Sequence, residues 1–264
     1  IVKNNLAKYK EIYGDDIPVE KHPEIRSVAA CYESTVRVIE LAKKTGARLH
    51  VFHISTAKEL DLFTNKIPLE KKQITAEVCI HHLWFTDADY ETKGSLIKWN
   101  PAVKTKEDKD ALWKALLDDR IDVIATDHAP HTLEEKSKEY SSAPAGGPLV
   151  QHAFNALFQM YHQGKISLEK IAEKTSHSLA ICFKIKDRGF IREGYYADLT
   201  LVDLNSSYTV TKENILYKCG WSPFEGHTFR SKVTQTIVSG HLAYENETFH
   251  EEKKGERITF LRNI

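Results

Sequence analysis

Asp127, His128 and His131 bring a carboxylate and two imidazoles together inside one short stretch, Ile121-Asp122-Val123-Ile124-Ala125-Thr126-Asp127-His128-Ala129-Pro130-His131-Thr132. Groups of these types at this spacing can bind a divalent cation, move a proton or hold an anionic substrate. The plainer alternative is an aspartate that caps a helix beside two solvated histidines. The β-branched Ile121, Val123 and Ile124 predict a buried strand over 121–126, and Pro130 cannot continue its ladder. Asp127 and His128 then sit at the strand's C-terminal end, the face on which parallel α/β folds build active sites.

The rest of the chain supplies more strands that end this way. Apolar spacing predicts helices over 1–13 and 24–45, closed by Gly14 and Gly46. Strands follow over 48–54 and 74–80, with a capped helix over 57–64 between them. A further helix over 106–118 precedes the strand at 121–126. Strand, helix-length connection and strand again is the pattern of parallel βα units, an α/β class. The three strands end in His53 with Ser55, in His81-His82, and in Asp127-His128, so these groups can converge on one face. The loop 132–147 is long and polar, as functional loops tend to be. Helices are expected over 149–163, 168–175 and 177–183. From Gly189 the pattern alternates with period two at 197–204 and 232–238, then turns at Gly240, which predicts an antiparallel β module.

Lys+Arg and Asp+Glu both total 37, so no net field favours nucleic acid or a membrane surface. Cys31, Cys79, Cys182 and Cys219 are widely separated and read as reduced thiols, in keeping with a cytoplasmic location. No apolar run has the length of a membrane span. His22, His50, His152 and His162 are expected on the surface or on helix faces.

The segment Ala125–Thr132 resembles the signature of the dihydroorotase family, in the metal-dependent amidohydrolase superfamily. The resemblance extends through Leu49-His50-Val51-Phe52-His53-Ile54-Ser55-Thr56-Ala57, Glu77-Val78-Cys79-Ile80-His81-His82-Leu83, Asn100-Pro101-Ala102 and Trp221-Ser222-Pro223-Phe224-Glu225-Gly226. It implies a (β/α)8 TIM barrel with a small β-sandwich domain. Residues 1–188 would be the C-terminal portion of the barrel, about strands 6–8. Residues 189–264 would be a β-rich part of the sandwich, with the loop 214–228 packing back on the barrel. By the same resemblance His53 and Asp127 are zinc ligands, for one or two Zn2+ per site, and Asp127 also carries the proton. His131 would hold the substrate carboxylate. Asn100 would contact the substrate ring, and the backbone at Ala145 and Gly146 would approach it. His81, His82 and His128 are expected around the site rather than on the metal, and Glu225 to tie its loop to the barrel.

The implied reaction is the reversible cyclisation of N-carbamoyl-L-aspartate to L-dihydroorotate in pyrimidine biosynthesis, by a cytoplasmic homodimer. Alternatives are a hydantoinase or allantoinase type of cyclic amidohydrolase, or a metal-free scaffold of the same shape. The family's His-x-His pair, bridging Lys or Asp and further histidine do not occur in this sequence. The expectation is therefore that a missing N-terminal half completes the barrel, and that residues 1–264 alone are inactive. Asn100-Pro101-Ala102-Val103-Lys104 also departs from the family's Asn-Pro-Pro-Leu-Arg, which removes a bidentate donor at Lys104.

Overall fold

Three short parallel strands carry the segments that end in chemistry: β1 (Leu49–Val51), β2 (Ile74–Cys79) and β3 (Val123–Ala125), side by side in that order. This is a computed structural model, and it describes residues 1–261. Leu49 stands opposite Ile74, and Glu77 opposite Val123, so His50, Thr75, Glu77, Val123 and Ala125 share one face. The other face is closed by helices that supply Ile39, Leu112, Trp113 and Leu116 to the core.

The strand register is held by a buried ion pair. Lys72 Nζ lies 2.6 Å from Asp122 Oδ1, both side chains 4% exposed. Asp122 Oδ2 also accepts from the Ala76 N–H at 2.9 Å. Removing one partner of such a pair leaves a buried charge and costs about 3–5 kcal/mol.

Several elements are shorter or more broken than the sequence pattern predicts. The expected helix 24–45 is two helices, His22–Ile25 and Val28–Thr45, because Ser27 caps the second one by accepting from Ala30 N. The expected strand 48–54 ends at Val51, because His53 takes a left-handed backbone. Ile80 begins a helix, Ile80–Trp84, so His81 and His82 lie in a helical turn rather than on a strand end. The polar loop 132–147 contains a helical turn, Leu133–Lys136, closed by a capping box between Thr132 and Glu135. The helices expected over 168–175 and 177–183 run on through a π turn at Glu173–His177.

The antiparallel part has β4 (Leu199–Asp203), β5 (Tyr208–Thr209), β6 (Thr228–Phe229), β7 (Lys232–Val238), β8 (His241–Glu245) and β9 (Thr248–Phe249). β4, β7, β8 and β9 form one sheet in that order, and β5 pairs with β6. The chain forms two compact units, Ile1–Ala153 with Val210–Glu225, and Phe154–Thr209 with the chain from Gly226 on. The expected division at 188/189 falls inside the second of these, because the helices from Phe154 to Phe183 associate with the β-rich segment. Within that unit Phe154, Phe158, Leu168, Phe190 and Leu199 line an apolar cavity of about 440 Å³. No helix among the described residues is long and apolar enough to cross a membrane.

Candidate active site

His53 and Asp127 follow the C-terminal ends of β1 and β3, on either side of β2. Both have positive φ, 42° and 48°, which turns each side chain out of its strand's alternation. Ile54 N–H donates to the Glu77 carbonyl at 2.9 Å, which brings the chain back to β2 immediately after His53. His53 Nδ1 is buried and has no hydrogen-bond partner. The Asp127 carboxyl is held above the usual carboxylate range, first by burial and also by Glu77, against the opposing pull of His53. A half-buried acid of raised pKa beside an imidazole with one unpartnered nitrogen can move a proton and hold a cation.

These two groups fit part of a zinc donor set. Imidazole nitrogen and carboxylate oxygen are ordinary Zn2+ ligands, and the orphaned Nδ1 marks a lone pair or proton with no other use. A tetrahedral ion needs more donors than these two.

Glu77 lies on β2 between them. His50 Nε2 is 3.0 Å from Glu77 Oε2, and His50 Nδ1 is 2.8 Å from Thr75 Oγ1. His50 was expected at the surface, but its side chain is only 11% exposed and it fills the sheet's inner face. The period-two alternation of Thr75, Glu77 and Cys79 along β2 was the available signal for a polar inner face.

His81 and His82 are fully buried. His81 stacks on Trp99, with centroids 4.3 Å apart and planes 15° off parallel. Burial holds the His81 imidazole well below its ordinary pKa, and pushes His82 down to about 3. Both are therefore neutral near pH 7 and able to serve as ligands or hydrogen-bonding groups. Asn100 follows Trp99, and its Oδ1 is buried without a partner.

His128 is exposed, and its Nδ1 accepts from Leu149 N at 3.0 Å and from Val150 N at 3.3 Å. That ties the end of the polar loop to β3. His131 Nδ1 lies 3.3 Å from Glu135 Oε2, and the His131 carbonyl accepts from Trp221 Nε1 at 2.7 Å. Glu225 lies in the segment Val210–Glu225, which belongs to the same compact unit as the parallel sheet.

Gly146 comes close to this group by necessity. Its φ is +130°, and an added Cβ would stand 2.5 Å from the Ala129 carbonyl oxygen and 3.4 Å from the His131 ring. Two lysines hold the loop there. Lys136 Nζ donates to the carbonyls of Gly146 at 2.8 Å, Pro144 at 2.9 Å and Lys98 at 3.3 Å. Lys98 Nζ donates to the carbonyls of Tyr140 and Ala143, both at 2.6 Å, and lies 4.2 Å from the Tyr140 ring centre. Burial pushes Lys136 down to about 7 and Lys98 down to about 8. Neither lysine stood out in the sequence, where 132–147 reads as a long polar loop.

Two more histidines expected outside are inside. His22 is 1% exposed and bridges the Tyr140 hydroxyl at 2.8 Å and the Trp99 carbonyl at 2.7 Å. His152 is 0% exposed and lies 3.1 Å from Ser222 Oγ. Lys104 is also buried and donates to the Ala102 carbonyl at 2.9 Å.

The chain is similar in sequence and fold to known proteins. The dihydroorotase of Pyrococcus furiosus is 36% identical over 94% of this chain and 57% of its own length. An allantoinase of Desulfitobacterium hafniense is 35% identical over 81% of this chain and 48% of its own. The solved structure of the L-hydantoinase (dihydropyrimidinase) of Arthrobacter aurescens superposes with a TM-score of 0.87 at 25% identity, covering 98% of this chain and 58% of that one. The chain thus spans about half the length of the curated relatives it matches. The match to the model of the Amidohydrolase family runs from residue 28 to residue 243, from the start of the long helix to β8, so the chain belongs to that family.

Proposed function

We propose that this chain carries part of the active site of a dihydroorotase, which closes N-carbamoyl-L-aspartate reversibly to L-dihydroorotate in pyrimidine biosynthesis. The observation that carries the reading is the pairing of His53, whose Nδ1 is buried without a partner, with the raised-pKa Asp127 at the ends of β1 and β3, on either side of β2. In this reading the parallel sheet is about strands 6–8 of a (β/α)8 barrel, and the antiparallel sheet is part of a β-sandwich. Phe52, beside His50 at the mouth of the sheet, is 59% exposed, which supports further polypeptide closing over it. That polypeptide would also supply the remaining metal donors.

His53 and Asp127 are the proposed holders of one or two Zn2+. When bound, Zn2+ supplies Lewis acidity at the scissile amide and lowers the pKa of a water molecule. Asp127 takes a proton from the attacking water and returns it to the leaving ring nitrogen; its raised pKa suits both halves of that transfer. His131 grips the substrate carboxylate, a charge-assisted contact when the imidazole is protonated. The Asn100 amide and the backbone at Ala145 and Gly146 orient the ring. His81, His82 and His128 set the shape and polarity around these groups. The protein is proposed to act in the cytoplasm, as a homodimer.

A second reading rests on the allantoinase and hydantoinase relatives, whose ring substrates need no carboxylate grip at His131. Ring opening of dihydroorotate, dihydrouracil and allantoin by the complete, metal-loaded protein decides between them. Preference for dihydroorotate that disappears in His131→Ala supports the first reading. Equal or better turnover of the neutral rings overturns it.

A further inference from the structure

Cys79 ends β2, and His81 and His82 lie in the first turn of the helix that follows. Their donor atoms, the Cys79 Sγ and one nitrogen of each imidazole, lie within 4.8 Å of one another. The three residues are 0%, 0% and 2% exposed. Nδ1 of His82 makes no hydrogen bond, and the His81 ring is reached only by the Thr126 backbone.

The tautomer of His82 follows from its one partner. His82 Nε2 is 3.2 Å from the Pro101 carbonyl, which can only accept, so Nε2 carries the hydrogen and Nδ1 keeps a lone pair. A carbonyl that fixes one nitrogen while the other faces neighbouring donors is the usual setting of a metal-ligating histidine. His81 is held by its stack on Trp99.

We propose that Cys79, His81 and His82 form a metal site of their own, for a borderline or soft divalent cation such as Zn2+. The donor set of one sulfur and two imidazole nitrogens differs from the imidazole and carboxylate of His53 and Asp127, and it disfavours Mg2+ and Ca2+. Binding exchanges the Cys79 thiol proton for the cation, and that proton leaves to solvent. The negative charges of Glu77 and Asp127 reach the thiol and offset the charge the ion brings. The fourth tetrahedral position goes to water or a small anion. The ion ties the end of β2 to the segment Trp99-Asn100-Pro101 through His81 and His82.

The test strips the protein of metal with a chelator and reloads it with Co2+ alone. A thiolate ligand gives an intense near-ultraviolet charge-transfer band that an imidazole–carboxylate site cannot give. The expected result is such a band, saturating at one equivalent. Cys79→Ser abolishes it and lowers the bound Co2+ by that equivalent, while Asp127→Asn keeps it. A protein that holds its near-ultraviolet circular dichroism yet shows no band at saturating Co2+ overturns the site, as does a band that survives Cys79→Ser. Should Cys79→Ser fail to fold, His82→Gln serves instead: the band shifts or weakens, and an unchanged band overturns the site. The readout needs no turnover, so it stands or falls apart from the reaction proposed above.

Discussion

His53 and Asp127 hold matching positions: each lies two residues past the last residue of its strand, and each takes a left-handed backbone. That conformation costs a non-glycine residue roughly 1–2 kcal/mol. Paid at both places in one sheet, it aims an imidazole and a carboxylate at the same end, and strain of this kind persists where function requires it.

The first prediction concerns Asp127. Asp127→Asn keeps the size and loses the proton transfer, so kcat falls by at least about a hundredfold, the usual worth of a positioned acid–base group. Steady-state rates of dihydroorotate ring opening by the complete enzyme, with metal content measured on the same samples, check this. Near-normal turnover refutes the proton role.

His131→Ala should act on binding. Losing one hydrogen bond to a charged substrate raises KM by about tenfold or more, with kcat little changed. A fall in kcat at constant KM would place His131 in the chemical step instead.

Lys136→Met removes the donor shared by the carbonyls of Lys98, Pro144 and Gly146 while filling similar space. The Pro144 and Gly146 carbonyls lose that donor, at about 1–3 kcal/mol each, while the Lys98 carbonyl keeps the Gly146 N–H. A lower urea midpoint together with faster proteolysis between Lys136 and Gly147 is expected. A midpoint equal to that of the unaltered protein would show that the loop does not depend on the clamp.

Acid should unfold the first compact unit early. His22 and His82 are pushed down to about 3 by burial and His152 to about 4, against 6.5 in the open chain. The unfolded chain therefore binds protons that the folded one refuses. Stability is fully present above about pH 6.5 and is lost as pH falls toward 3. Each histidine contributes a slope of about 1.4 kcal/mol per pH unit inside that window. Denaturant melts at successive pH values measure it. His22→Gln, which leaves nothing at that position to titrate, should lower the slope, and an unchanged slope would contradict the assignment.

Much of this was legible in the sequence. The βα order could be read from apolar periodicity, and the polar groups that gather past the strands from the residues that follow each run. Caps were legible too: Thr56 accepts from Glu59 N, as its place before a helix suggested. The left-handed turns at His53 and Asp127 were not, since local pattern carries no mark of them; they cut both strands short. Nor was the burial of His22, whose partner Tyr140 lies 118 residues away. Lys98 and Lys136 escaped notice for the same reason: a lysine becomes an interior group only when distant carbonyls turn toward it.

Those carbonyls give the loop a polarity. In a trans peptide the C=O and the next N–H point in opposite directions. With the oxygens of Pro144 and Gly146 drawn inward onto Lys136, the amide hydrogens of Ala145 and Gly147 are turned the opposite way. The ammonium group thus fixes the segment's direction as well as its place: it consumes the inward acceptors, and the buried Gly147 is left in register with His128 just past β3.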